Sequence, residues 1–508
     1  MSGGVETVRF TLNGVEREAP KGMLLIDAAR LHGVDIPRYC SHPGLKPEGN
    51  CRMCVVEIEK MPKLQTSCTT PVQEGMVVHT ESERVLEERR RVMEFLLVNH
   101  PIDCPICDQA GECMLQEYYM RHDLQPSRVE LEEKIHKPKR VDLGPLVVLD
   151  AERCVLCSRC VRFCRDVAGV EELAIKNRGG HAEITAFPGR RLENPYSGNV
   201  IDICPVGALT SRDFRFKVRV WFLKTAESVC PGCERGCSIH IEQYQNEVQR
   251  IRPRENLRVN RYWICDFGRL DYRWINENRL LSAEGPSGRL RPEEADREAA
   301  RLLREAKAPL LVASPRMSNE SLFALRLFRE KALPEARIAG GSFREPWEGD
   351  AILKRPDRNP NRRGMETLGL AGGPEEALRA GPDLVLVIEN DLLGDRPEAK
   401  ELLTGKKVIV LASNRDATAS AAGLRVPVAT YAETEGSWTN FEGITQTFHP
   451  VLRPVGDSRS VAEALAGIAA ALGADLGPVD AGTLRAAVLR EAPQLDPARG
   501  REEDGRVG

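Results

Sequence analysis

Residues 152–167 read ERCVLCSRCVRFCRDV, and the reading of the whole chain turns on them. Cys154, Cys157, Cys160 and Cys164 stand at x2, x2, x3 spacing, close enough along one loop and one helical turn for their thiols to share a metal group. Runs of this kind end in Cys-Pro, whereas Arg165 follows Cys164. Whether all four cysteines act together depends on the allocation of every other cysteine in the chain.

A chain of 508 residues exceeds the size at which single cores stop growing, so several domains are expected. With 42% hydrophobic and 29% charged residues the composition is that of an ordinary soluble protein. A formal net charge of -3 gives no electrostatic case for nucleic acid or anionic lipid as a partner. The opening MSGGVETVRF lacks the basic and apolar regions of a signal peptide, and no apolar run approaches the roughly 20 residues that span a bilayer. The expectation is a cytoplasmic protein whose membrane contact goes through partners. All 16 cysteines lie between Cys40 and Cys265. Clustered C-x-x-C units in a long chain of this class point to metal or redox chemistry rather than disulfides.

The chain divides by its cysteines. Residues 1–79 open with VRFTLNGVEREAP, two alternating stretches joined by Asn13-Gly14, a hairpin signal. MLLIDAARLHG reads as a helix closed by Gly33, and CVVEIE and MVVHT read as strands around Cys40, Cys51, Cys54 and Cys68. This order resembles the β-grasp fold of plant-type 2Fe-2S ferredoxins, although x10, x2, x13 departs from their x4, x2 spacing. Residues 80–139 begin with Thr80 and Glu83, a capping box for a helix through RVLEERRRVMEFLLVN. That helix delivers HPIDCPICDQAGEC, with His100, Cys104, Cys107 and Cys113 at x3, x2, x5. Three cysteines leave a four-iron cluster one ligand short, and His100 supplies the missing donor. Residues 140–216 carry the opening motif and NVIDICPVGAL, in which Cys204-Pro205 and a small-residue helix start form a ferredoxin ending. Residues 217–275 hold CPGCERGC and WICDFGR, giving Cys230, Cys233, Cys237 and Cys265. Alone, that quartet also suits zinc; its neighbours favour iron.

The count then closes. The 2Fe-2S candidate set is Cys40, Cys51, Cys54 and Cys68; the 4Fe-4S candidate sets are His100, Cys104, Cys107, Cys113, and Cys230, Cys233, Cys237, Cys265. Five cysteines remain for four places. In two-cluster ferredoxins the fourth cysteine of the x2, x2, x3 run serves the other cluster, but here no second set of three awaits Cys164. Cys204 has the proline and completes Cys154, Cys157 and Cys160; Cys164 is left as a buried structural thiol.

With these motifs the chain resembles the largest iron-sulfur subunit, of the G type, of bacterial NADH:quinone oxidoreductase, respiratory complex I. The resemblance covers residues 1 to about 280 most fully. Beyond them, VASPRMSNESLFALRLF and ETEGSWTNFEGITQTF look like pieces of an inactive molybdopterin-oxidoreductase domain, departing at Ile444-Thr445. The resemblance implies an electron-transfer chain without a complete catalytic site, one 2Fe-2S and three 4Fe-4S clusters, and no molybdopterin, flavin or NAD. It implies as partners a flavin/NADH-binding subunit, a 2Fe-2S companion subunit and the hydrophilic quinone-side subunits, on the cytoplasmic face of the inner membrane. Electrons would pass from the 2Fe-2S set through the Cys204 set to the His100 set, with the Cys265 set off that route.

Residues 276–490 alternate helix and strand in EEADREAARLLREAK, PLLVAS, DLVLVIEND, KELLTGK and KVIVLAS, an α/β parallel-sheet layer that reads as a scaffold. No G-x-G-x-x-G or G-x-x-x-x-G-K-[ST] follows these strands, and the glycines of GLAGGPEEALRAG read as turns. The expected fold is thus α+β followed by α/β, in several domains. A working molybdenum enzyme is disfavoured because no cysteine follows Cys265, and an iron-only hydrogenase lacks its further cysteines. A multi-zinc scaffold leaves His100 at that spacing unexplained. The alternative is a diaphorase-type electron-transfer subunit of an NAD-linked hydrogenase or formate dehydrogenase, whose small subunits usually lack the last quartet and the long C-terminal region. The charge runs ESERVLEERRR and VELEEKIHKPKR read as solvated faces or linkers, and residues 491–508 as a polar, disordered tail.

Overall fold

Alternation in TVRFTL puts Val8, Phe10 and Leu12 on one buried face of β1 (Thr7–Leu12), which turns through Asn13 (φ 51°) and Gly14 (φ 80°) into antiparallel β2 (Val15–Pro20). Two successive left-handed residues are what a two-residue hairpin turn requires. The structure, a computed structural model, describes residues 6–123 and 126–498, and the chain divides between Phe222 and Leu223 into two compact units.

In the first unit, β3 (Val55–Ile58), β4 (Gln65–Thr66) and β5 (Met76–His79) complete a sheet of order β2-β1-β5-β3-β4, with β1 and β5 parallel. The helix Leu25–Leu31 buries Leu25, Ile26, Ala28 and Ala29 in the same apolar cluster as the sheet. The helix Glu83–Leu97 follows, and here the expected cap is corrected. Ser82, not Thr80, is the N-cap and accepts from the Val85 amide at 3.4 Å. Thr80 is drawn away because its amide donates to Asn13 Oδ1 at 2.8 Å. The helix Met114–His122 leads toward β6 (Val141–Asp142) and β7 (Val147–Leu149). A hairpin of β8 (Leu173–Lys176) and β9 (Glu183–Ala186) comes next, and β10 (Leu209–Ser211) closes a sheet of order β10-β7-β6. Cys204-Pro205 is therefore followed by a turn into β10 rather than by a helix. The competing demand is the ladder with β7, together with the Asp150 amide bonded to Ala208 O at 2.8 Å.

Neither charge run is wholly solvated. Arg89 is 2% exposed and donates to Val55 O at 3.0 Å. Lys134 is 7% exposed, and its Nζ donates to the carbonyls of Leu97, Val98 and His100 at 2.9, 3.1 and 2.9 Å. The end of a helix leaves carbonyls without partners, and a buried cation satisfies these.

The second unit begins with an antiparallel meander of β11 (Lys224–Val229), β12 (Ser238–Tyr244) and β13 (Glu247–Pro253). The strands β14 (Ala283–Gly285), β15 (Gly288–Leu290), β16 (Pro309–Ala313), β17 (Arg337–Gly340), β18 (Leu384–Ile388), β19 (Lys407–Ala412) and β20 (Leu424–Pro427) form one sheet of order β15-β14-β20-β19-β18-β16-β17. Its last five members are parallel, as expected from the alternating pattern, and β14 and β15 add an antiparallel edge. The apolar runs of β16, β18 and β19 supply residues to two separate core clusters, as both-face coverage of a parallel sheet requires. A hairpin of β21 (Gly436–Thr439) and β22 (Thr445–Phe448) lies outside this sheet. The tail is also shorter than expected: Ala492 and Leu495 are buried in the core, because the helix Ala481–Glu491 carries them there. Residues 499–508 of the expected tail lie outside the described residues.

Candidate functional site

The first set gathers in the β-grasp loop. The four sulfurs share hydrogen bonds: those from Cys51 and Cys68 hold Cys40 down, to about 2, and that from Cys68 holds Cys54 at about 7, while Cys51 and Cys68 are pushed up in turn. The Cys40 amide also approaches Cys51 Sγ at 3.5 Å. Arg52, between two of these cysteines, has φ 59°, a conformation uncommon for a side chain of that kind and frequent at functional loops.

The second gathering bears on the choice between Cys164 and Cys204. Cys154, Cys157 and Cys160 each feel the charge of Cys204, and Cys160 that of Cys164 as well; burial raises all four of Cys154, Cys157, Cys160 and Cys204, Cys154 to about 12 and Cys157 to about 11. Backbone N–H groups of Val206, Leu209 and Ala208 act on the Cys204 sulfur and partly offset burial in favour of the thiolate, while the thiol itself donates to Val206 O at 3.1 Å. Cys164, on the same helix Arg159–Asp166, is different. Burial and then the Glu172 carboxylate push it to about 12, and no backbone N–H offsets them. Leu156 (φ 52°) and Ser158 (φ 59°) bend the loop, and the Leu156 amide meets Cys154 Sγ at 3.4 Å.

Around the third set, His100, Cys104 and Cys113 line one cleft of about 800 Å³. Cys107 lies near enough to Cys113 to raise it after burial, which carries Cys113 to about 11. Burial lowers His100 to about 4, leaving a neutral imidazole with a lone pair at neutral pH. Ile102 has φ 52°, and Asp103 is held by Arg153 through Nε at 2.9 Å and Nη2 at 2.6 Å. In the second unit Cys230, Cys233, Cys237 and Cys265 are all buried and line one small cavity beside Phe267 and Trp347. Cys265 caps the helix Asp266–Leu270, taking the Gly268 amide at 3.4 Å.

The three sets of the first unit are joined by residues that sequence reasoning did not single out. Arg159 is 6% exposed and donates to Ser41 O, next to Cys40, at 2.6 Å, and to Ile203 O, next to Cys204, at 3.0 Å. Its Nη1 also lies 3.9 Å from Met114 Sδ, next to Cys113. Arg162 donates to Cys40 O and, at 3.3 Å, to Cys157 O. The Met114 amide donates to Pro205 O at 3.0 Å, and a Cβ on Gly207 would sit 2.3 Å from Cys107 Sγ. The one available signal was a pair of arginines inside a cysteine motif.

These surroundings fit iron-sulfur clusters. Glycines make room at the sulfurs: a Cβ on Gly268 would stand 2.7 Å from Cys230 Sγ. The Arg159 guanidinium meets no carboxylate among the described residues, and its nearest negative influences are Cys157 and Cys204. A buried cation without a counter-charge is costly, and a thiolate-ligated cluster supplies one.

Five family models match along the chain. They are the 2Fe-2S iron-sulfur cluster binding domain (residues 5–83), the NADH-ubiquinone oxidoreductase-G iron-sulfur binding region (89–128) and the ferredoxin-like domain of NADH-quinone oxidoreductase subunit 3 (144–210). The molybdopterin oxidoreductase Fe4S4 domain (223–277) and the molybdopterin oxidoreductase family (367–470) follow. The NADH-quinone oxidoreductase G subunit of Rickettsia bellii is 39% identical over 64% of this chain and 48% of its own. The corresponding G subunit of Streptomyces coelicolor is 34% identical over 98% of this chain and 64% of its own. The mitochondrial NADH-ubiquinone oxidoreductase 78 kDa subunit of Candida albicans is 44% identical over 54% and 38%. A chain in the crystal structure of an NAD+-reducing [NiFe]-hydrogenase is 32% identical over 42% of this chain and 90% of its own, with a TM-score of 0.38. The chain spans about half the length of the first curated relatives it matches. Its 2Fe-2S and 4Fe-4S binding domains, in this order and with these relatives, place the chain in the G-subunit family of the NADH-quinone oxidoreductases.

Proposed function

We propose that this chain is the electron-transfer subunit of the NADH-oxidising arm of a complex I, passing single electrons from a flavin subunit toward the quinone-site subunits. Iron-sulfur clusters supply one-electron transfer with little movement of their ligands. The residues that hold them are Cys40, Cys51, Cys54 and Cys68 for one 2Fe-2S cluster. Three 4Fe-4S clusters are held by His100, Cys104, Cys107 and Cys113; by Cys154, Cys157, Cys160 and Cys204; and by Cys230, Cys233, Cys237 and Cys265. The protein works on the cytoplasmic face of the inner membrane, beside a flavin/NADH-binding subunit, its 2Fe-2S companion and the quinone-side subunits. No helix among the described residues is long and apolar enough to cross a membrane, so attachment goes through that assembly.

The observation that carries this reading is Arg159. One buried guanidinium touches chain neighbours of Cys40, Cys204 and Cys113, which supports three sets close enough to exchange electrons; the order 2Fe-2S set, Cys204 set, His100 set is the one the family resemblance implies. Arg159 and Arg162 fix the spacing of ligand loops and offset negative charge. Neutral His100 in place of a fourth thiolate makes its cluster less negative, which by itself raises the potential.

The test is iron, zinc and acid-labile sulfide per chain after anaerobic purification. About 14 iron with matching sulfide and little zinc is expected on these ligand assignments. Mostly zinc with little sulfide in a fully matured sample would sink the electron-transfer reading.

A further inference from the structure

The parallel strands of the second unit run in the order β17-β16-β18-β19-β20, so the chain passes from β16 to β17 on one side and then crosses to β18 on the other side of β16. In open α/β sheets the crevice at the carboxyl ends of two such diverging strands is where ligands bind. Two residues just past those ends are Arg316, after β16, and Glu389, immediately after β18. Both line a cleft of about 60 Å³ together with Tyr431, Trp438 and Phe448. That space holds roughly four waters, enough for one small polyatomic group and too little for a nucleotide.

The polar groups there lack the partners that folding normally provides. Tyr431 is 7% exposed, held between Trp438 and Trp274 with ring centroids 5.3 and 6.0 Å away, and its hydroxyl has no hydrogen-bond partner. Buried hydroxyls are rarely left so. The Arg316 guanidinium lies 4.9 Å over the Trp274 ring and, among the described residues, makes no hydrogen bond. Its backbone is fixed by the Trp438 indole N–H, which donates to Arg316 O at 3.0 Å. Glu389 has φ 49°, a strained conformation for this residue. The other acids of the cleft are already engaged: Arg485 donates to Glu320 at 2.9 Å and to Glu435 at 2.8 Å. Arg344 stands near enough for Arg316 to push it down to about 10. Arg344 is in turn paired with Asp395 at 3.5 Å, and Arg316 and the Glu389 carboxylate act on each other across the cleft.

We propose that this cleft binds a small oxyanion, a phosphate or carboxylate group. The Arg316 guanidinium and the Tyr431 hydroxyl donate to its oxygens, and Glu389 stands at the wall of the cleft past β18. Charge-assisted donation from a planar guanidinium is the strongest recognition available for such a group. The site is independent of the cluster assignments above.

The test is calorimetric titration of the matured full chain, in oxyanion-free buffer at constant ionic strength, with inorganic phosphate and with acetate. Saturable one-to-one binding of at least one probe is expected, and the stronger of the two identifies the source chemistry. Arg316→Gln should weaken it at least tenfold. Tyr431→Phe keeps the ring and its packing, so it should fold normally, gain a few degrees in Tm without ligand by losing an unpaired hydroxyl, and bind several-fold more weakly. Arg301→Gln, on an exposed helix face beside Glu298 and Glu305, should leave the affinity unchanged. No saturable binding of either probe, or full affinity in both cleft variants, would overturn the proposal.

Discussion

The two units use cysteine-rich loops in different surroundings. In residues 6–222 three candidate sets are stitched together: Arg159 and Arg162 reach from one loop to the next, Pro205 takes the Met114 amide, and Gly207 packs on Cys107. In residues 223–498 a single set sits in a closed cavity with Phe267 and Trp347, 4.6 Å apart, at its wall. On the ligand sets proposed above, the difference teaches that holding a cluster takes only four donors and peptide N–H groups. Placing clusters in a series takes additional buried cations and close backbone approaches. Substitutions in the first unit should therefore disturb two signals at once, and those in the second unit one.

The largest effect is expected for Arg162→Ala. It removes donors to Cys40 O, Lys46 O and Cys157 O and the ion pair with Glu48. Breaking a buried charged network of this kind costs about 4 kcal/mol. Denaturant unfolding of the matured protein should show the loss in the first unit, and reduced-state EPR should show the 2Fe-2S and Cys204 signals altered together. An unchanged 2Fe-2S signal would break the comparison. Lys134→Met comes next. The Val98 and His100 carbonyls past the helix Glu83–Leu97 lose their donor, while Leu97 O keeps the His100 amide, at about 2 kcal/mol for part-buried groups left unpaired. The His100 set should lose its cluster, about four iron, while the other sets keep theirs.

Gly207→Ala and Gly268→Ala form a matched pair, because each Cβ would press on a cysteine sulfur, Cys107 at 2.3 Å and Cys230 at 2.7 Å. Overpacking should cost about 2 kcal/mol in each. Gly207 lies in the loop of Cys204 but touches Cys107, so its variant should shift two EPR signals, and Gly268→Ala only one. Equal effects would erase the distinction between a stitched and an isolated site.

The proposed donors come from the sequence, through spacing, the Cys204-Pro205 pair and a count of cysteines, and the fold places the residues of each proposed set in neighbouring loops. The parallel sheet was legible there too, because its apolar strands carry their own pattern. What holds the sets together was not legible. Lys134 and Arg89 stand in charge runs that resemble solvated faces, and only the tertiary fold shows that a helix end and a strand carbonyl require them. Beside the left-handed glycines Gly49, Gly111 and Gly236, the cluster loops carry Arg52, Ile102, Leu156 and Ser158 in the same conformation, and these four are not the glycine that would have announced such a turn. Thr80 lost its capping role because Asn13, far away in sequence, competes for its amide.

The smallest effect is expected at Cys164, the last cysteine of the x2, x2, x3 run. It is fully buried beside Phe163 on the helix Arg159–Asp166, and its sulfur faces the Glu172 carboxylate without a backbone donor. A thiolate there would be opposed by burial and by like charge. At Cys204 the amides of Val206, Leu209 and Ala208 partly offset burial in favour of the thiolate. Cys164→Ser exchanges a weakly polar thiol for a hydroxyl in a packed site and should cost about 1 kcal/mol, with iron content and all four EPR signals retained. Cys204→Ser should lose about four iron and one signal. The opposite pattern would make the x2, x2, x3 run a self-contained set. Cys204 would then be the surplus thiol, and Pro205 and Gly207 would no longer link two clusters.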